Sequence, residues 1–149
     1  MRAKRHVLLL LSIFLAAALF LSCSSTEGQG GNTTEPSAGA ASIVEGFMCS
    51  DIYDDNPVGI DNDFFVDDVV YIWLSWKNVT GGHKVKIVWV DPNEKLYETA
   101  NSFTSRDGTM TTYYWLDTTN SAPVGRWIAE VYIDGIFMRS YAFWLNSVS

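Results

Sequence analysis

Apolar and polar side chains alternate with a period of two from Ile43 onward, and this pattern constrains the fold more than any other feature. Within Val69–Lys77, for example, every even-numbered residue is apolar, ending at Trp76. Successive side chains of a strand point to opposite faces, so this pattern is typical of a half-buried strand. Clusters of Gly, Asn, Asp and Pro separate such runs, and no stretch has a helical period. We therefore predict an all-β domain.

The alternating runs and the turn clusters between them predict about seven strands. These are Ile43–Ile52, Val69–Lys77, Lys84–Val90, Lys95–Phe103, Thr109–Asp117, Arg126–Ile133 and Ile136–Leu145. About seven short strands in a domain of this length are typical of a two-sheet antiparallel sandwich.

The dipeptide Asp134-Gly135 predicts the last hairpin, because a type I′ turn requires positive φ at both central residues. Opposite charges at Glu130 and Arg139, and a large residue facing a small one at Trp127 and Ala142, favour an uninterrupted register. A one-residue bulge is the alternative, and it would turn Arg139 toward the core. The expected pairs are Ile133 with Ile136, Tyr132 with Phe137, Val131 with Met138, Glu130 with Arg139, Ala129 with Ser140, Ile128 with Tyr141 and Trp127 with Ala142.

The C-terminal residues also carry a family resemblance. The segment Pro123–Trp127, the alternating Ala129 and Val131, the Asp134-Gly135 turn and the final Phe143-x-Leu145 resemble the closing hairpin of immunoglobulin-like or fibronectin-type-III-like modules. Such modules are common in bacterial envelope proteins. The resemblance implies an immunoglobulin-like sandwich, which is more often a binding or spacer module than an enzyme.

The N-terminal segment predicts export. Three basic residues before His6 precede fifteen apolar or small residues, Val7 to Leu21, which is the pattern of a signal peptide. As a helix this run covers roughly 22 Å, less than the ~30 Å hydrocarbon core of a bilayer. Leu21-Ser22-Cys23 resembles the lipobox of bacterial lipoproteins. The resemblance implies cleavage before Cys23 and acylation of its thiol and new N-terminus; an ordinary secreted protein and a retained membrane anchor are the alternatives.

Residues Ser24–Ser42 contain no large apolar side chain and are rich in Ser, Gly, Thr and Ala, which predicts a flexible tether. The expected organisation is a lipoprotein signal peptide at 1–22, an acylated cysteine and tether at 23–42, and a β-sandwich at 43–149. Ser24, directly after the cysteine, resembles the sorting residue of enteric lipoproteins sent to the outer membrane. We therefore expect the outer membrane, with the periplasmic or surface face left open.

Charge excludes one class of partner. The chain after the signal peptide holds seven basic and seventeen acidic residues, a formal charge of −10. Such a balance argues against nucleic acid and against electrostatic adsorption to anionic lipid. Acylation of Cys23 would leave Cys49 without a partner in the chain, and we predict that Cys49 is buried as a small apolar residue.

The stretch Asp51–Asp68 contains seven aspartates and no basic residue. We interpret it as a solvated acidic loop between the first two strands. The alternative is a structural calcium site, because Ca²⁺ prefers several hard oxygen ligands from one loop. Its candidate ligands are Asp54, Asp55, Asp61 and Asp63.

Aromatic residues are in excess on the strand faces that point away from the predicted core. They form a candidate protein interface or a platform for stacking on sugar rings. The structural alternatives are an inverted face, or loops that cover the rings. The residues are Tyr71, Trp73, Tyr113, Trp115, Tyr132, Phe137, Tyr141 and Phe143.

No motif of a known catalytic class is present, and His83 has no neighbour that marks it as a base or a metal ligand. We interpret His83 as a residue at a strand entrance. The sequence as a whole predicts a non-catalytic, lipid-anchored binding module that needs no cofactor. A protein partner is favoured, and a carbohydrate-binding module, with or without structural calcium, is the alternative.

Overall fold

The computed structural model describes residues 39–148, and every regular element assigned there is a strand. The predicted signal peptide, Cys23 and most of the tether lie outside the described residues. The nine strands are β1 (Ser42–Tyr53), β2 (Asn56–Ile60), β3 (Asp63–Phe65), β4 (Val69–Lys77), β5 (Gly81–Val90), β6 (Leu96–Ser105), β7 (Thr109–Asp117), β8 (Gly125–Ile133) and β9 (Ile136–Asn146).

The strands form two sheets, which confirms the predicted all-β class and two-sheet sandwich. The first sheet has the order β2-β1-β4-β7 and the second the order β3-β9-β8-β5-β6. All neighbours are antiparallel except β3 and β9, which run parallel. The predicted count of about seven is too low, because the chain has nine strands in the described part.

One core lies between the sheets and follows directly from the alternation. The even-numbered residues of β4, from Val70 to Trp76, are almost fully buried, and they face the apolar sides of β5 and β8. The buried indole of Trp76 donates to the Thr112 hydroxyl at 2.9 Å, and that of Trp127 to the Pro123 carbonyl at 2.8 Å. Satisfied indoles let large aromatic rings fill the core without the cost of an orphaned donor.

The seven predicted strands all exist. The bounds of β4 and β7 agree residue for residue with the prediction. The ends of the other five predicted strands each differ by three residues or fewer. The type I′ turn is also confirmed, since Asp134 and Gly135 have φ of 51° and 83°.

The acidic stretch is not the solvated loop that the sequence predicted. It contains β2, which forms a hairpin with β1, and β3, which carries the chain into the second sheet. Phe64 and Val66 are buried while the aspartates around them are exposed. The strands are only five and three residues long, too short for their alternation to stand out among so many acidic residues.

The last hairpin contains a bulge, which was the alternative to the register that the sequence favoured. The predicted register holds for Ile133/Ile136 and Tyr132/Phe137, after which Val131 faces Arg139 and every later predicted pair is wrong. A shift of one residue exchanges the two faces of a strand. Phe143 thereby enters the core, 6.1 Å from the Trp127 ring, instead of pointing outward as predicted.

Candidate binding surface

Most of the predicted aromatic residues of the first sheet lie together on its outer face. Phe47, Trp73 and Tyr113 are direct cross-strand neighbours, and Tyr71 lies beside Trp115 in the next row. The rings of Phe47 and Trp73 stack at 5.9 Å, and those of Tyr71 and Trp115 lie 6.4 Å apart. We call the set Phe47, Ile60, Tyr71, Trp73, Tyr113 and Trp115 the aromatic face.

Exposure varies along the aromatic face. Tyr113 and Trp115 on the edge strand β7 are 40% and 48% exposed, and Ile60 on β2 is 56% exposed. Trp73, at the centre, is only 8% exposed. The apolar surface that a ligand can contact is therefore largest on β7, and Ile60 provides a second apolar contact on β2.

The β1–β2 hairpin covers the centre of this face. Asp54 and Asp55 form its two-residue turn, with φ of 49° and 59°. The Asp55 carbonyl accepts a hydrogen bond of 2.7 Å from the Trp73 indole, which holds the hairpin tip over the sheet. Loop coverage, which the sequence analysis left as an alternative, thus applies to Trp73.

Acidic groups dominate the rim of the aromatic face. Glu45, Asp51 and Asp117 lie on the same side of the sheet as the rings, and Lys77 is the cation at the β4 end. Carboxylates beside exposed rings accept hydrogen bonds from hydroxyl or amide donors and attract cations. The arrangement suits a ligand that offers donors or positive charge together with apolar surface.

Cys49 lies within this face between Ile60 on β2 and Tyr71 on β4, and it is fully buried as predicted. Burial raises the pKa of the Cys49 thiol, partly offset by hydrogen bonds to the backbone of Asp51 and Val58. A raised pKa lowers the thiolate fraction at neutral pH, and full burial gives the thiol a packing role.

The remaining candidate aromatics lie elsewhere, so the eight predicted surface residues do not form one patch. Tyr132 and Phe137 are on the outer face of the second sheet, 5.6 Å apart, and Tyr132 donates to the Glu130 carboxylate at 2.7 Å. That hydrogen bond raises the pKa of the Tyr132 hydroxyl. Their location on the opposite side of the sandwich removes them from any site built on the aromatic face.

Tyr141 belongs to the seam between the sheets. The bulge turns it inward opposite Ala129, and its hydroxyl lies directly over Gly46 of β1. Burial raises the pKa of Tyr141, opposed by the neighbouring Arg139 guanidinium. Tyr141 therefore closes the sandwich on the β1–β9 side, which is a structural role.

The four candidate calcium ligands are not gathered into a site. Asp54 and Asp55 form the hairpin turn, whereas Asp61 and Asp63 are in and after the link between β2 and β3. The Asp61 carboxylate accepts the backbone N–H groups of Asn62 and Asp63. Across residues 39–148, no three His, Cys, Asp or Glu side chains are grouped so as to hold a metal ion.

His83 is the third residue of β5, near the strand entrance as predicted, but it is not isolated. Its Nδ1 lies 2.7 Å from the Asp134 carboxylate, and the other carboxylate oxygen accepts the Lys84 N–H at 2.9 Å. The Lys84 N–H, followed by His83, lowers the pKa of Asp134. The pair ties the β8–β9 turn to β5.

Two surface cavities are also present. One of about 450 Å³ lies at an end of the sandwich, beside Lys95, Tyr97 and Trp127. The second, of about 340 Å³, runs between β6 and β7 and is lined by Phe103, Tyr113 and Trp115, so it adjoins the aromatic face. Sequence reasoning missed Phe47 and Ile60 on this face; the alternation of β1 would have placed Phe47 beside Trp73 once the strand order was known.

Comparisons with known proteins address the fold alone. No protein-family model and no curated protein matches the chain. Among solved structures, the chain is similar to the Pseudomonas fluorescens alkylpurine DNA glycosylase AlkC bound to DNA containing an abasic site analog, with a TM-score of 0.54 and 10% identity. The similarity covers 71% of this chain and 30% of that one. In the part of the chain that the structure describes, no helix is long and apolar enough to cross a membrane.

Proposed function

We propose that the protein is a non-catalytic, lipid-anchored module of the bacterial cell envelope that binds a protein partner through the aromatic face. The observation that carries the proposal is the group of Ile60, Tyr113 and Trp115, exposed on one side of a single sheet. Exposed aromatic residues are enriched at protein interfaces because they contribute large contact areas at low entropic cost. The acidic rim adds selectivity for a partner surface with basic groups.

The sandwich belongs, in this proposal, to the immunoglobulin-like class. The order β1-β4-β7 against β9-β8-β5 corresponds to the A-B-E and G-F-C order of immunoglobulin-like domains. The hairpin strand β2 and the edge strand β6 extend these sheets. Fold class does not determine function, so the binding role rests on the aromatic face.

A site-specific photocrosslinker tests the partner hypothesis. A photoreactive phenylalanine analogue replaces Trp115 in the full chain, expressed in the cells that produce it. We expect a discrete covalent adduct after irradiation. The same analogue at Phe137, on the opposite outer face, is the matched control, and equal adducts from both positions would contradict the proposal.

Glycan binding is a second candidate function, favoured by one observation. The half-exposed Trp115 ring lies beside Tyr71 with Asp117 at the end of the same strand, so an aromatic platform adjoins a hydrogen-bond acceptor. Sugars stack their apolar faces on such rings and donate hydroxyls to such acceptors. Signal on a glycan array that disappears with Trp115→Ala but persists with Phe137→Ala would favour this function over a protein partner.

The lipid anchor is part of the proposal and rests on the lipobox resemblance at Cys23. Several acyl chains at about 0.8 kcal/mol per buried CH₂ give stable anchoring without a spanning helix. Metabolic labelling with an alkyne fatty acid should mark the native chain and leave Cys23→Ser unlabelled. Protease shaving of intact cells then distinguishes a surface-facing domain from a periplasmic one.

A further inference from the structure

The edge strand β7 differs from the other edge strands of the sandwich. β2 is five residues long and contains Pro57, β3 has three residues, and β6 carries Glu98 in an ion pair with Lys86. β7 has nine residues and no charged side chain before its last position, Asp117. Proteins protect edge strands with shortness, proline or charge, and β7 lacks all three.

The backbone of β7 has a short unpaired stretch on its free edge. The Trp115 carbonyl accepts the Thr99 hydroxyl of β6 at 3.5 Å, and the Thr109 carbonyl accepts the Ser105 hydroxyl at 2.7 Å. The odd-numbered residues of β7 therefore point their backbone groups away from β4. In an antiparallel strand, the backbone N–H and carbonyl groups of successive residues point alternately to one neighbouring strand and to the other. The backbone groups of Thr111 and Tyr113 therefore also point away from β4. Because β7 ends its sheet, no described strand pairs with these two residues.

We propose that β7 pairs antiparallel with β7 of a second copy of this chain, which joins two four-stranded sheets into one sheet of eight strands. The two-fold axis passes through Thr112. Thr111 of each copy then exchanges two hydrogen bonds with Tyr113 of the other. The carbonyls of Thr109 and Trp115 already accept hydrogen bonds from β6. The four new bonds satisfy the backbone N–H and carbonyl groups of the two outward residues between them, Thr111 and Tyr113.

Self-complementarity selects a second copy as the occupant. The free stretch consists of two outward residues, Thr111 and Tyr113, with Thr112 between them. A rotation of 180° about Thr112 therefore brings the donors and acceptors of one copy opposite the acceptors and donors of the other. In this register Thr109 lies opposite Trp115 of the second copy, so Lys77, the β4 neighbour of Thr109, lies in the same row as that Trp115 ring across the junction. An ammonium group over aromatic faces is attractive.

The pairing goes beyond the proposed function, because it uses the backbone edge of β7 and holds whether or not the aromatic face binds a partner. It also makes the two aromatic faces continuous across the junction. The groove of about 340 Å³ between β6 and β7 opens along the same edge, so the second strand has access to it.

Cysteine pairing tests both the dimer and its register. Two differently tagged full-length chains, one with Thr111→Cys and one with Tyr113→Cys, are expressed together in membranes. We expect the mixed disulfide to exceed either single-type disulfide several-fold on non-reducing gels. Tagged chains without added cysteine control for Cys23 and Cys49, and Ala100→Cys on β6 controls for random collision.

Light scattering of the full chain in detergent provides the second measurement. Thr111→Pro removes an outward N–H without touching the β4 ladder, and we expect the dimer dissociation constant to rise roughly tenfold or more. The melting temperature of the variant verifies folding. A native chain that remains monomeric at its highest soluble concentration, or single-type disulfides as abundant as the mixed one, would overturn the proposal.

Discussion

The outer faces of the two sheets have the same alternating sequence pattern but surround their aromatic residues with different neighbours. On the second sheet, the Lys86 ammonium is 3.0 Å from Glu98 and lies 5.2 Å from the centre of the Tyr132 ring, while Tyr132 donates to Glu130. On the first sheet, rings stack on rings and the charges are confined to the rim. Polar partners engage Tyr132 on the second face, where Phe137 is 52% and Trp144 49% exposed, whereas the exposed rings of the first face lie together in cross-strand rows.

The difference shows that an outward-pointing aromatic residue is not in itself evidence of a binding site. Tyr132 and Phe137 point outward from their sheet, as Tyr113 and Trp115 do from theirs. The Tyr132 ring nevertheless contacts the Lys86 ammonium, and its hydroxyl donates to Glu130, both within its own sheet. What separates the faces is the set of cross-strand neighbours, which the order of the strands determines.

Within the first face, Trp73 and Trp115 should differ most in stability. Trp73→Ala removes a nearly buried ring, its stack on Phe47 and the bond to Asp55, and we expect a loss of about 3 kcal/mol in unfolding free energy. Trp115→Ala, at 48% exposure, should cost less than about 1 kcal/mol. Urea denaturation measures both. Equal losses would mean that the aromatic face is structural throughout, and would weaken its assignment as a binding surface.

The seam behind the first face is tested by Gly46→Ala. An added Cβ would overlap the Tyr141 hydroxyl, and we expect about 2 kcal/mol of destabilisation from overpacking. Gly82→Ala is the control, since its Cβ would have only the Thr104 hydroxyl near it, at 3.9 Å. Both variants are compared by thermal melting. A Gly46→Ala chain as stable as the native one would show that Tyr141 does not lock β1 to the second sheet.

The turn of the second sheet should make stability depend on pH. Because its folded-state pKa is lowered, Asp134 contributes stability above its unfolded pKa, and the contribution is lost as the pH falls through the folded pKa. Asp134→Asn keeps a residue that tolerates positive φ but loses the charge. We expect a lower melting temperature than native at pH 7, and the two should converge as the pH falls through the lowered pKa of Asp134.

Asp54→Asn is the matched control for that experiment. Asp54 holds the equivalent first position of the β1–β2 turn, with φ of 49°. Its melting temperature should follow that of the native chain at both pH values. A pH-independent deficit in Asp134→Asn would assign the effect to turn geometry and not to the carboxylate.

The smallest expected effect is at Lys86. Lys86→Ala removes a solvent-screened ion pair and a cation–π contact, and we expect a loss of about 0.5 kcal/mol that shrinks in high salt. Lys84→Ala, on the same side of β5, controls for the change in net charge. Denaturation at two salt concentrations provides the measurement. A loss of unfolding free energy that is independent of salt and as large as that of Trp73→Ala would contradict the description of the Lys86 contacts as solvent-screened.

Much of the fold was predictable because period-two alternation is a local signal. The bounds of β4 and β7 and the Asp134-Gly135 turn follow from residues close in sequence. The short strands β2 and β3 were missed because three to five residues hold too few alternations to exceed an acidic background.

The candidate site was harder to predict than the fold, since its composition depends on long-range pairing. Four of the eight predicted residues share one face, while Tyr132 and Phe137 lie on the other, and Tyr141 and Phe143 turn inward at the bulge. A bulge is one inserted residue whose position depends on which side chains complete the core, here Phe143 and Leu145. Contacts of Phe143 with residues distant in sequence, Phe64 and Trp89, therefore accompany the local register.

The β1–β2 hairpin gives this surface a means of diversifying. Its tip reaches the sheet through one carbonyl of Asp55, and its two turn residues lie outside the strand ladder. Insertions or substitutions at such a tip leave the core unchanged. A longer tip would cover more of Trp73 and a shorter one would expose it, so ligand preference can change over evolution while the sandwich beneath stays the same.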